Sequence, residues 1–446
     1  MLSVYFVFVN FLFTLLLSPN NSDLEFELEE DLEWGMNICF VSCFPPSRGR
    51  LSEYAYYLLR ELACFESIEK IHVFADKIEG GEVSSENGKI VVHRVWRPDS
   101  VLSLILLLFR ILRLRPHLVH FNVHMAVFGR SRLANFVGLA LPFFCRIFGL
   151  RTIVTLHNVF DRMDVEKCGF RSSFLNRLGA FLALKLVSFA SLVTVTVRSY
   201  VRLMRERYGC RAVRWVPHGT WRVNMFKFNG GSFNSSHEWN VLFIGHVGPY
   251  KNLDLLLRAY KMLDNGLKVR LLIAGGSHPN FPGVLEEYRA RCRDPNIRFL
   301  GFVPDEELPR VFEMADVVVL PYATCTGTSG VAHLASSFGK PIVATDLPEF
   351  RELVREGCGI ILAKHDPKDF AKKIELLLRD RRLAEELKNR SLRFASKRTW
   401  NKIAQQFFLC YLEILDMSLL NLSLKNEKSE ALVNSNNAAN VIMKAR

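Results

Sequence analysis

Three short stretches of this chain carry residue types able to hold an anion, and a fourth carries a neutral polar group to set beside it. The apolar run ending at Ile244 is followed by Gly245 and His246, and Lys251 stands just ahead of a helical pattern at Leu253–Leu263. A glycine lets backbone amides approach a ligand, a helix N-terminus carries partial positive charge, and two basic side chains add to it. Together these suit a diphosphate. The run DVVVLPY is followed by Thr324, Cys325, Thr326, Gly327, Thr328, Ser329 and Gly330, where small residues open another helix and form a second anion candidate. Gly49, within FPPSRGRLSEY, is a third, although an ordinary strand-to-helix turn explains one glycine equally well. The strand-like TIVTL ends in His157 and Asn158. A histidine at that end of a strand points into a crevice and can donate or accept a hydrogen bond to a hydroxyl, although a lone histidine is as often structural.

The elements that must position these residues fall into two series. A chain of 446 residues exceeds the roughly 250–300 that one core accommodates. From Met36 short apolar runs alternate with helical ones: NICFVSC, LSEYAYYLLRELACF, IHVFA, KIVVHRV, SVLSLILLLFRILRL, HLVHF, a helix near Asn135–Leu150, TIVTL, a helix near Phe174–Phe189, LVTVT and AVRWV. After Pro217 a stretch rich in Gly, Asn and Ser lacks periodicity and reads as a linker. The alternation then resumes with NVLFIGH, VRLLIAG, IRFLG, DVVVLPY, PIVAT and GIILA. The pattern predicts two doubly wound α/β domains at 36–222 and 240–398, joined by 223–239. Such sheets bind ligands at the carboxyl ends of their strands, so the two face each other across a cleft. The helix at Asn401–Asp416, with Ile403, Phe407, Phe408, Tyr411 and Leu415 on one face, belongs to a segment 399–417 expected to pack back on the first domain. Residues 418–446 are rich in Asn, Ser and Lys and read as a disordered tail.

Composition narrows the function classes. Apolar residues make up 49% and charged residues 23%, which excludes a disordered chain. The formal charge is +13; residues 36–220 hold 26 Lys and Arg against 13 Asp and Glu, so the first domain is the basic one. That imbalance fits an anionic membrane surface, an anionic substrate or a solvated arginine-rich face. No recognisable reader module accompanies it, so nucleic acid is not expected. Neither GxxxxGK[ST] nor GxGxxG after the first strand occurs, which disfavours a P-loop nucleotidase and a dehydrogenase. Ten scattered cysteines form no CxxC pair, so no metal site is expected and reduced thiols in the cytoplasm fit best.

Residues 1–18 are nearly all apolar and precede an acidic run. A start codon assigned too early, a weak signal anchor and a cleaved signal all remain open for residues 1–35. The apolar stretches at Val101–Leu114 and Asn135–Leu150 are interrupted by Arg110 and Arg113, and by Pro142 and Arg146. They read as buried helices or as helices leaning on a membrane interface, not as spans.

Several segments together resemble the retaining enzymes of glycosyltransferase family 4, also called group 1. These are VLFIGHVGPYKNLDLLLRAYKML, VRLLIAGG, IRFLGFVPDEELPRVFEMADVVVLPY and GKPIVATDLPEFRELVREGCGIIL in the second domain, with RPHLVHFN and TIVTLHNVF in the first. The resemblance covers about Met36 to Asp416. It implies the GT-B architecture and transfer of a sugar, with retention, from a nucleotide-diphosphate donor to a lipid-linked, polysaccharide or small-glycoside acceptor, without a metal cofactor. It places the donor-phosphate lysine at Lys251, the crevice histidine at His157 and the base-binding loop at Phe302 and Val303. Four positions depart from the pattern: His246 stands for an arginine, Arg50 follows Gly49 where a second glycine is usual, and Thr326 and Leu334 replace two glutamates spaced eight apart. Thr326 keeps a hydroxyl for the donor sugar, whereas Leu334 cannot accept a bond from a ribose. The alternative is a GT-B fold without turnover, acting as a nucleotide-sugar-binding or partner subunit.

Overall fold

Two parallel sheets form the skeleton of the chain. In the computed structural model, residues 35–415 are described, apart from 48–50, 79–83, 87, 163, 165, 168–172, 222–237, 279 and 326. The leader, the tail, most of the linker, Gly49 and Thr326 therefore lie outside the described residues.

The first sheet contains β1 (Met36–Val41), β2 (Ile68–Asp76), β3 (Ser84–Glu86), β4 (Ile90–Trp96), β5 (Leu118–Val123), β6 (Thr152–Leu156), β7 (Leu192–Val195) and β8 (Val213–Trp215). Their order is β3-β4-β2-β1-β5-β6-β7-β8, with only β3 antiparallel to its neighbour. The second contains β9 (Trp239–Ile244), β10 (Val269–Ala274), β11 (Ile297–Gly301), β12 (Val317–Leu320), β13 (Ile342–Thr345) and β14 (Ile360–Ala363), in the order β11-β10-β9-β12-β13-β14, all parallel. Strand order reverses between β1 and β5 and between β9 and β12. Crevices open at those points, outside the carboxyl ends.

Helices cover both faces because the strands are apolar on both sides; β5 is buried at every position. On one face of the first sheet lie α1 (Ser52–Leu62) and, from the far end of the chain, α13 (Trp400–Ile414). Tyr54, Leu58 and Leu62 of α1 share a core with Ile403, Phe407 and Tyr411 of α13. A buried hydrogen-bond chain pins α13 to the sheet: His120 contacts Tyr411 Oη at 2.6 Å and Thr155 Oγ1 at 2.7 Å. On the other face lie α2 (Val101–Leu114), α3 (Arg132–Ile147), α4 (Phe174–Val187) and α5 (Ser199–Tyr208), packed through Leu107, Phe121, Leu184 and Met204.

The second sheet carries α6 (Leu253–Tyr260), α7 (Val284–Arg291), α8 (Leu308–Met314), α9 (Gly330–Ser337), α10 (Pro348–Arg355), α11 (Pro367–Arg379) and α12 (Arg381–Ser396). Periodicity alone does not reveal α5. In α5 only Tyr200, Met204 and Tyr208 are buried, one residue per turn among charged neighbours, so the apolar stripe is too thin to read. The helix expected at Asn135–Leu150 starts at Arg132, because the Ser131 hydroxyl accepts from Ala134 N and caps it.

Candidate active site

A cavity of about 530 Å³ lies between the carboxyl ends of the two sheets and is lined from both. On the side of the second sheet, β9 ends at Ile244 and the chain turns through Gly245, whose φ is +114°. A Cβ on Gly245 would lie 2.4 Å from Lys251 Nζ, so glycine leaves the space that the ammonium fills. Lys251 closes a single 3-10 turn, Pro249–Lys251. Its side chain is buried, 5.3 Å from the ring centre of Tyr322. Burial lowers its pKa to about 8, with Glu53 opposing the shift.

His246 and His278 stand nearby, their rings 6.2 Å apart. Burial, and then the charge of Lys251, lowers His246; burial, then His246 and Lys251, takes His278 to about 4. Both are therefore neutral at pH 7. The expected pair of cations, His246 and Lys251, is a single cation beside neutral imidazoles. His278 was not legible in the sequence, since nothing in its loop sets it apart.

The loop after β12 passes close to the first domain. Gly327 has a φ of +120°, and a Cβ there would meet the carbonyl oxygen of His157 at 2.1 Å. Ser329 caps α9 by accepting from Ala332 N at 3.3 Å. Gly330 opens the helix, and a Cβ there would lie 3.5 Å from His218 Nε2. Thr328, Phe302, Val303 and Leu334 all line the cavity.

On the side of the first sheet, His157 follows β6 and its Nε2 lies 2.6 Å from Asn122 Oδ1. Asn122 in turn donates from Nδ2 to Ser42 Oγ at 3.0 Å. That orientation presents the amide oxygen to the imidazole, so Nε2 carries the proton and Nδ1 is the acceptor. Burial, then the neighbouring His218 and His124, hold His157 well below the usual imidazole range. The Tyr54 ring meets it edge-on at 4.5 Å, and Tyr54 also touches His218 and Trp400. Trp400 brings the start of α13 to the cleft.

Glu53 is the residue that sequence reasoning missed. Among the described residues lining the cavity it and Asp305 are the carboxylates. Tyr57 donates a hydrogen bond to Asp305. Burial and then Asp305 raise the pKa of Glu53, while the charge of Lys251, which lines the same cavity, opposes them. An acid in the first turn of a helix is commonplace, so its spacing gave no signal. Elsewhere the domains meet where Glu352 of α10 accepts from the backbone N–H groups of Arg198 and Ser199, and where Tyr200 donates to Glu349 at 3.2 Å.

Residues 238–380 match the family model described as glycosyl transferases group 1. D-inositol 3-phosphate glycosyltransferase of Nocardia farcinica is 32% identical over 180 residues, which is 38% of this chain and 40% of that protein. Its counterpart in Corynebacterium efficiens is 32% identical over 187 residues, 40% of this chain and 43% of the relative. The matches thus span about two fifths of the length of these relatives. Among solved structures, sucrose-phosphate synthase from Thermosynechococcus elongatus superposes with a TM-score of 0.68 at 19% identity, covering 86% of this chain and 100% of that one. Anabaena HepE in complex with UDP-glucose does so at 0.60 and 18%, covering 85% and 99%. The chain has the GT-B architecture. Its second half carries a group 1 glycosyl transferase domain.

Proposed function

We propose that this chain transfers a sugar from a nucleotide-diphosphate donor to a carbohydrate or lipid-linked acceptor, with retention at the anomeric carbon. The observation that carries the reading is the buried Lys251 ammonium, seated in the space of the missing Gly245 side chain in the lining of the cavity between the sheets. HepE binds UDP-glucose in the same fold, which supports a nucleotide sugar as donor.

In this reading the bond between the anomeric carbon and the donor's β-phosphate oxygen breaks while the acceptor oxygen bonds to the same face of the sugar. The acceptor's hydroxyl proton passes to the leaving phosphate. Lys251 and the amides around Gly245 and Gly327–Gly330 stabilise the charge that develops on the diphosphate. Phe302 and Val303 flank the base, the hydroxyls of Thr326 and Thr328 hold the donor sugar, and His157 Nδ1 accepts from a sugar hydroxyl. Closure of the two domains excludes water and limits hydrolysis of the donor. No separate cofactor enters the scheme. The described cysteines are all free and mostly buried, which fits a reducing cytoplasmic compartment.

Native mass spectrometry of the purified chain with a panel of UDP-, GDP- and ADP-sugars tests the proposal, followed by donor-hydrolysis assays with whichever binds. One donor class is expected to bind and to release nucleoside diphosphate slowly. Binding without release under any acceptor would favour a partner subunit, with Leu334 facing the cleft as the reason. Absence of binding to every donor would overturn the reading.

A further inference from the structure

A second cavity, of about 970 Å³, lies along the outer strand β8 of the first sheet, lined by residues of β8, the starts of β6 and β7, α5 and the end of α13. Seven arginines line it against two glutamates. Arg202 pairs with Glu206 at 2.7 Å and Arg214 with Glu413 at 2.7 Å. Arg146 donates to Ser191 Oγ at 2.7 Å and Arg205 to the Val213 carbonyl at 3.4 Å, so neither of those charges is met by a carboxylate there. The Arg198 guanidinium carbon lies over the Trp215 ring, 4.0 Å from its centre. Trp215 also lines the cavity, and its Nε1 is buried without a hydrogen-bond partner among the described residues. Seven guanidinium groups around one cavity with two carboxylates fit a ligand that brings oxyanion acceptors.

Exposed apolar side chains stand close in the chain to two of the lining residues. Immediately after Arg146, Ile147 is 60% exposed, and Phe189, two residues before Ser191, is 58% exposed with its ring 5.4 Å from that of Phe143. The apolar surface continues along α4, which runs back toward the cleft end of the sheet, to Leu175 at 66% and Phe174 at 79%. Helices α3 and α4 pack side by side on the same face of the sheet, so these residues share one outer surface. No helix among the described residues is long and apolar enough to cross a membrane. Exposed aromatic and aliphatic side chains beside arginines suit a surface that lies on lipid, with the rings at the acyl boundary and the guanidinium groups at headgroup phosphates.

We propose that the outer face of α3 and α4 docks on an anionic lipid surface and that the arginine cavity holds the phosphate of a lipid headgroup. The site is separate from the transfer cleft, and its test needs no sugar transfer, so its failure and failure of the proposed activity are distinguishable. The experiment is flotation of the full chain with phosphatidylcholine vesicles, with and without about 30 mol% phosphatidylglycerol, at low and high salt.

Wild type is expected to float at least tenfold more with the anionic vesicles, and 1 M salt, where screening acts over about 3 Å, should reduce this severalfold. Arg202→Glu with Arg211→Glu should abolish the preference for anionic lipid, and the milder Arg202→Gln with Arg211→Gln should weaken it. Phe174→Ser with Leu175→Ser should reduce flotation about tenfold while keeping that preference. All four positions are exposed, so unfolding temperatures should stay near wild type. Equal flotation on neutral vesicles, or none on either, overturns the proposal. So does arginine-dependent binding to a single-stranded oligonucleotide that competes fully with vesicles and ignores the serine changes, which would make the cavity a nucleic-acid site.

Discussion

The two walls of the cleft are built from different materials. The second domain meets it with backbone: Gly245, Gly275 and Gly327 all have positive φ, and side chains there would strike Lys251 Nζ, the Gly245 carbonyl and the His157 carbonyl respectively. The first domain meets it with rings and a carboxylate, namely Tyr54, His157, His218 and Glu53, braced from behind by Asn122 and by Trp400 of the last helix. Bare backbone suits a diphosphate, whose oxygens need amides at close range. Interlocked side chains suit sugar hydroxyls, which must be told apart by individual donors and acceptors. Under the proposed function, donor binding falls chiefly to one wall and discrimination chiefly to the other.

Removing the cation should damage the second domain's wall most. Lys251→Ala is expected to lower turnover by roughly 10²–10³, the usual cost of losing one electrostatic donor in a transition state. Its unfolding temperature should not fall, since the residue is a costly buried charge. With a folded pKa of about 8 against 10.5 unfolded, the free protein binds fewer protons than the unfolded chain between those values. Stability from this group therefore rises as pH climbs from about 8 toward 10.5, while donor affinity falls as the ammonium is lost. Lys251→Arg keeps its charge throughout and should flatten the alkaline fall in affinity, at reduced turnover. Titration calorimetry across that range checks this; an unchanged rate in Lys251→Ala would remove the lysine from the donor site.

A smaller effect is expected where the walls touch. Gly327→Ala places a methyl group 2.1 Å from the His157 carbonyl in a backbone conformation that L-residues rarely adopt. It should cost on the order of 1–3 kcal/mol of stability and loosen the approach of the two domains. Thermal unfolding and the donor dissociation constant measure the two consequences. A variant with wild-type values for both would show that the domains need not approach this closely.

The smallest effect concerns the first wall. Glu53 raises the pKa of Lys251, so Glu53→Gln should shift the alkaline loss of donor affinity to lower pH. Its turnover should suffer far less than that of Lys251→Ala. An alkaline limb that moves upward instead would mean that the carboxylate does not face the lysine.

Much of this organisation was legible in residue order. Strands β1, β5, β6, β9 and β12 show as short apolar runs, and Gly245, Lys251, His157 and Ser329–Gly330 stand at their carboxyl ends, because a doubly wound sheet collects its loops there. Helix α5 was not legible, since one buried residue per turn leaves too thin a stripe, whereas α11, with Phe370, Ala371, Ile374, Leu377 and Leu378 buried, carries a readable stripe that sequence reasoning missed.

The sequence by itself determined two α/β halves, the cation and glycines of one wall, and the basic character of the first domain, all of which depend on residues near one another in the chain. The tertiary structure decided what depends on distant ones. It brought Glu53 and Lys251 to one cavity, set Trp400 against Tyr54, and made His246 and His278 neutral by burying them beside a charged lysine. It also gathered Arg146, Arg205 and Arg214 around one cavity. A proton's affinity for a side chain, and a cavity's charge, are sums over everything within a few ångströms, and only folding specifies those neighbours.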